Sequence, residues 1–207
     1  MHKQPFILRT SQTELQHILI AWLCISVCFA FVRVDVLQHI ASLFSLQFIM
    51  YLFLAGLTGG VGFLLHELAH KIVAQKYGCL AEFRADFRML LLGLVISIFG
   101  FVIAAPGAVF IFGKVTRREN GIIAVWGPLV NIILAFFFLP FIFAGAGFLY
   151  ELGKFGMLIN AWLALFNMLP ISVLDGKKVW DWNKLVFFAT ITVAAVLVFF
   201  SFAIFMK

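Results

Sequence analysis

Five long apolar runs constrain this chain more than any other feature of it. They cover residues 16 to 36, 46 to 77, 121 to 147, 153 to 174 and 184 to 206. Each is long enough to cross the hydrocarbon core of a bilayer as a helix. Of the 207 residues 64% are apolar and 12% are charged, and mean hydropathy is +1.12. A water-soluble domain of this length would need far more polar surface. The expected class is an all-α polytopic membrane protein with five to six transmembrane helices. His2, Lys3 and Arg9 precede the first run, and no small-residue cleavage site follows a short core, so that run reads as a first span. No linker, charged tail or solenoid-period repeat divides the chain. A single membrane domain over 1–207 is expected, with a core at about 46–176 and peripheral helices at 16–36 and 184–206.

A sixth apolar stretch, residues 89 to 112, is interrupted by Pro106-Gly107. Ahead of it Ala81, Phe83, Ala85 and Phe87 alternate with Glu82, Arg84, Asp86 and Arg88. Period two is the signature of a half-buried strand. After the break, Ala108 to Phe112 has strand-like composition. A small membrane-associated β element is therefore expected. Loop charge decides the path of 89–112. If the stretch re-enters, and the N-terminus is cytoplasmic, twelve Lys/Arg lie inside and only Arg33, Lys154 and Lys207 lie outside. If it crosses fully, the split is eight against seven. The positive-inside rule selects the re-entrant path. Irregular backbone at that depth has to be buried in protein or line a cavity.

The net charge of +6 lies mostly in these loops. Orientation and anionic headgroups of the lipid bilayer account for it, and no nucleic acid partner is expected. Cys24, Cys28 and Cys79 form no CxxC and no disulfide framework, and read as buried thiols.

Within the second run stands His66-Glu67-Leu68-Ala69-His70. HExxH puts two imidazoles one turn apart on one helix face, where both can hold zinc, with the glutamate beside them as a base for water. Ionisable groups inside an apolar span are expensive and point to function. Catalytic zinc takes three protein ligands, so a third must come from elsewhere. On the re-entrant topology Asp175 ends the 153–174 span on the same side and at a similar depth as the histidines, whereas Asp35 and His39 lie on the far side. Asp175 is the expected third ligand, with Gly176 letting the backbone turn. Asn167 and Pro170 precede it. The proline removes a backbone donor, and the amide is a candidate for holding a peptide or an oxyanion. Asn160 reads as a packing contact, Lys177 and Lys178 as topology anchors, and Trp22 as an ordinary span aromatic.

His66-Glu67-xx-His70, taken with Asn167-xx-Pro170-xxx-Leu174-Asp175-Gly176, resembles the paired signature of the site-2 protease family of intramembrane zinc metalloproteases. The second element matches the NxxPxxxLDG pattern at every fixed position. Gly127-Pro128-Leu129-Val130-Asn131 is similar to the family's small-residue motif between the two. The similarity covers about residues 46 to 176. It implies one zinc ion per chain held by His66, His70 and Asp175, with Glu67 as catalytic base. It adds Asn131 to Asn167 as a candidate substrate-binding or oxyanion residue. It also implies regulated cleavage of single-pass transmembrane substrates inside the bilayer of a prokaryotic cell membrane, with the site toward the cytoplasm. No separate PDZ or CBS domain is expected. Oligomeric state carries no signal here. Two other functions compete: a zinc transporter, which would need ligands reaching both faces, and a non-proteolytic membrane scaffold.

Overall fold

The computed structural model describes residues 8–102, 106–171 and 173–205. Helix α1 (Gln12–Val34) is capped by Ser11, whose hydroxyl accepts from the Glu14 N–H. Helix α2 (Leu46–Ala55), a π-helical turn (Gly56–Gly60) and helix α3 (Val61–Lys76) form one continuous rod. The turn is held from α1: the Trp22 indole donates to the Gly56 carbonyl at 3.0 Å. A Cβ on Gly60 would lie 2.6 Å from the Trp22 ring nitrogen, so a glycine is needed there. Trp22 is thus a specific packing element against this wide turn.

Strand β1 (Leu80–Ala85), helix α4 (Phe87–Ile98) and strand β2 (Gly107–Phe112) follow. The expected strand through Arg88 stops at Ala85 because Asp86 caps α4, its Oδ1 accepting from the Arg88 and Met89 N–H groups at 3.0 and 3.1 Å. Twelve residues of α4 make about 18 Å of helix at about 1.5 Å per residue, short of the about 30 Å of a hydrocarbon core. Helices α5 (Arg117–Phe138), α6 (Gly147–Asn167), α7 (Asp175–Trp182) and α8 (Lys184–Phe205) complete the chain.

Among the described residues four helices are long and apolar enough to cross a membrane: Gln12–Val34, Leu46–Lys76, Arg117–Ala144 and Lys184–Ile204. Their outer faces carry exposed Ile133, Phe136, Val196 and Phe199, which suits contact with lipid rather than water. The run expected at 153–174 forms instead at Gly147–Asn167. Pro170 disfavours helical backbone just before it, so α6 ends ahead of the proline, and its first turns hold Glu151 and Lys154.

Helix α5 packs against both α3 and α6 in the middle of the molecule. One apolar cluster joins α5, α6 and α8 through Ile132, Met157 and Leu197. A second joins α5, α7 and α8 through Val125, Val179 and Phe187. A third packs α1, α3, α4 and the sheet around Phe63 and Phe83. The N-terminal end of α1, the C-terminal end of α3 and the sheet meet at one end of the bundle. There Lys71 and Glu14, both fully buried, pair at 2.5 Å.

The two strands pair antiparallel, Leu80 opposite Phe112 and Ala85 opposite Gly107. The outer edge of β1 is closed by side chains. Phe83 N–H donates to Glu14 Oε1 at 3.0 Å, Ala85 N–H to His17 Nδ1 at 3.1 Å, and Gln75 Nε2 to the Ala81 carbonyl at 3.1 Å. Backbone groups alternate sides along a strand. The odd residues of β1 therefore face away from β2, and the even ones bond Ala108, Phe110 and Phe112. The backbone groups of Gly107, Val109 and Ile111 consequently point to the outer edge of β2, where that of Val109 hydrogen-bonds the Glu67 carboxyl.

Candidate metal centre

His66 and His70 stand on α3, ten and six residues before its C-terminal end, and Asp175 opens α7. The three ligand atoms lie within 4.8 Å of one another. Asp175 Oδ2 is 3.2 Å from His66 Nε2 and 2.9 Å from His70 Nε2. All three residues are buried. The expected partnership of two neighbouring imidazoles with a distant aspartate is therefore present, at one end of the bundle.

Hydrogen bonds decide which ring nitrogens carry protons. His70 Nδ1 is 2.8 Å from the Ile123 carbonyl oxygen. A carbonyl only accepts, so Nδ1 bears the proton. His66 Nδ1 is 2.6 Å from Asn131 Oδ1. The amide orientation follows from its other contacts. Asn131 Nδ2 donates to the Gly62 carbonyl and to Asn160 Oδ1, both at 3.0 Å, and Asn160 Nδ2 donates to the Gly156 carbonyl at 2.9 Å. Every atom in this chain has one consistent role, and it leaves Asn131 Oδ1 to accept from His66.

In its neutral form each imidazole, protonated on Nδ1, turns an Nε2 lone pair toward a carboxylate oxygen. Three acceptors at such distances repel one another unless a cation lies among them. Zinc bonds of about 2.0–2.2 Å in tetrahedral geometry give ligand–ligand edges of about 3.3–3.6 Å, close to the two distances seen. Two nitrogens and one oxygen also match the borderline character of zinc. The residues fit that ion.

Two glycines let the elements close in. A Cβ on Gly127 of α5 would lie 2.5 Å from both Nε2 atoms. Only a bare backbone can pass so near the ligand nitrogens. A Cβ on Gly176 would meet the carbonyls of Met168 and Leu169 at the end of α6. The expected sharp turn at Gly176 is absent, since its backbone is helical. Its function is to let α7 start directly against α6.

A cavity of about 130 Å³ opens on the three ligands. Glu67 lines it, as do Asn167, Lys178 and the β2 residues Gly107, Val109 and Ile111. Asn167 Nδ2 donates to the Leu163 carbonyl at 2.9 Å. Asn131 is fully buried and lines the same cavity, and its amide hydrogens are engaged within the protein while its oxygen holds His66. The sequence reading missed Asn160 as the next link of that chain. Its polarity within an apolar helix was the available signal. It also missed Lys178, whose Nζ lies 3.1 Å from Asp175 Oδ1. Lys177 instead pairs with Asp181.

A protein of Methanocaldococcus jannaschii bearing the name "Putative zinc metalloprotease" is 42% identical over 184 residues, which cover 87% of this chain and 90% of that protein. No family model and no solved structure matches the chain.

Proposed function

The chain belongs to the zinc metalloprotease family of this archaeal relative, and on that premise we propose that it is an intramembrane-cleaving endopeptidase of the site-2 protease type. Its substrates are single-pass transmembrane proteins, cut within or near their membrane segments. One observation carries the reading: the lone pairs of His66, His70 and Asp175 converge on one point inside an apolar helix bundle, with Glu67 beside them. His66 lies ten residues before the end of α3, about 15 Å along the helix axis, which supports a site below the headgroups.

His66, His70 and Asp175 hold one zinc ion per chain. Zinc bound there supplies a Lewis acid for the scissile carbonyl and acidifies a water molecule. Glu67 takes the proton from the attacking water and passes it to the leaving amine. Asn167, at the cavity wall, offers an amide to the carbonyl oxygen as it gains charge. A substrate helix hides its carbonyls in its own hydrogen bonds and has to unwind first. The free edge of β2 receives the unwound segment as an added strand, beside the ligands.

The whole chain acts as a single membrane domain. Helix α6 serves as a fifth span, and the stretch holding α4 and β2 enters and returns on the same side; its residues 103–105 lie outside the described ones. The site faces the cytoplasm of a prokaryotic cell. A transporter would need ligands leading to both faces, and a single group able to hold a metal ion is found among the described residues.

The test uses purified protein in detergent micelles with labelled single-pass peptides, and mass spectrometry locates the cut. Products form with zinc and vanish with a chelator. Glu67→Ala keeps its zinc and yields no product. Cleavage by Glu67→Ala at the wild-type rate would remove the proposed chemistry.

A further inference from the structure

The two carboxylate oxygens of Asp175 have different surroundings. Oδ2 faces both Nε2 atoms, at 3.2 and 2.9 Å. Oδ1 is 3.1 Å from Lys178 Nζ, one turn on along α7. Residues three apart share a helix face, and Lys178 lines the metal cavity. Its neighbour Lys177 points elsewhere and pairs with Asp181 at 2.5 Å.

Resting on the zinc reading above, we infer that Lys178 is a positioning residue that reserves Oδ1, so that Asp175 binds zinc through Oδ2 alone. A carboxylate with an unengaged second oxygen can swing to chelate through both. A second Asp175 oxygen would join the three ligand atoms and the water as a fifth ligand and crowd the position that catalytic zinc keeps for substrate. The ammonium prevents this by donating to Oδ1. The lysine side chain is 42% exposed and that of Asp175 9%. The ammonium therefore reaches the buried carboxylate from the open side of the cavity, away from the two imidazoles. Partners behind metal ligands characteristically fix ligand orientation in this manner.

Cobalt substitution reads the ligand number directly. Wild-type protein loaded with Co²⁺ shows the strong visible bands of a four-coordinate ion. Lys178→Met weakens these bands as a fifth ligand joins, and kcat falls about 10–100-fold with KM little changed. Lys178→Arg, which keeps a donor on Oδ1, restores the four-coordinate spectrum. Lys177→Met, on the same short helix, leaves the spectrum unaltered and controls for disturbance of α7. If Lys178→Met binds cobalt with the wild-type spectrum, the inference is overturned and the zinc reading stands. If wild-type protein binds neither zinc nor cobalt, the zinc reading falls and takes the inference with it.

Discussion

A zinc-binding imidazole is only as good as the group behind it. His66 is held through Asn131, and Asn131 through Asn160, in a chain that fixes the ring's proton on Nδ1. Gly62 provides the space: a Cβ there would collide with the Asn160 amide. Asn131→Ala should remove the acceptor behind His66 and lower zinc affinity about 10–100-fold, read by competition with a chromophoric chelator. Wild-type affinity in this variant would mean that the amide chain does not orient the ring. At this scale the ligands were legible and their supports were not. His66, Glu67 and His70 share a local spacing, and Asp175 follows from topology. Asn131 and Asn160 acquire their function only because α3, α5 and α6 turn particular faces to one another. Lys178 looked like an anchoring charge because its partner oxygen belongs to a side chain directed inward.

The hairpin illustrates the same division among elements. Alternation in 81–88 and the composition of 108–112 marked both strands, and the Pro106-Gly107 break marked where one of them begins. The outer boundary of β1 was misread because Asp86, one of the alternating residues, caps α4 instead. Which edge stays available could not be read locally. Glu14 and His17 approach from α1, more than sixty residues away in sequence, and close the β1 edge. That leaves β2, whose Ile111 N–H points away from β1. Ile111→Pro deletes this donor without touching a ligand or Glu67. Cleavage of a transmembrane peptide should slow up to about tenfold, the loss of roughly one hydrogen bond's worth of binding, while zinc content stays at the wild-type value. Unchanged cleavage would exclude strand addition at this edge.

Across the whole molecule, one buried ion pair ties the sheet and α1 to the helix that carries His66 and His70. Lys71 follows His70 directly. Its ammonium reaches Glu14 Oε2 at 2.5 Å and Thr10 at 2.8 Å, while the other Glu14 oxygen accepts from β1. Removing one partner leaves a charge buried without compensation. Lys71→Met should cost about 3–5 kcal/mol, measured by denaturation in micelles. The double variant Lys71→Met/Glu14→Gln should recover part of that loss. Equal stability of Lys71→Met and wild type would show that the pair does not bind these elements together.

By itself the sequence marked the apolar runs, most of which form helices long and apolar enough to cross a membrane, and the four residues of the proposed chemistry. Those features rest on local composition and spacing, which a chain carries whether or not it is folded. Only the tertiary structure decided the proton positions on the imidazoles, the free edge of the sheet and the engagement of each Asp175 oxygen. These depend on contacts between helices far apart in sequence, and such contacts exist only once glycines such as Gly127 and Gly176 have let the backbones close around the site.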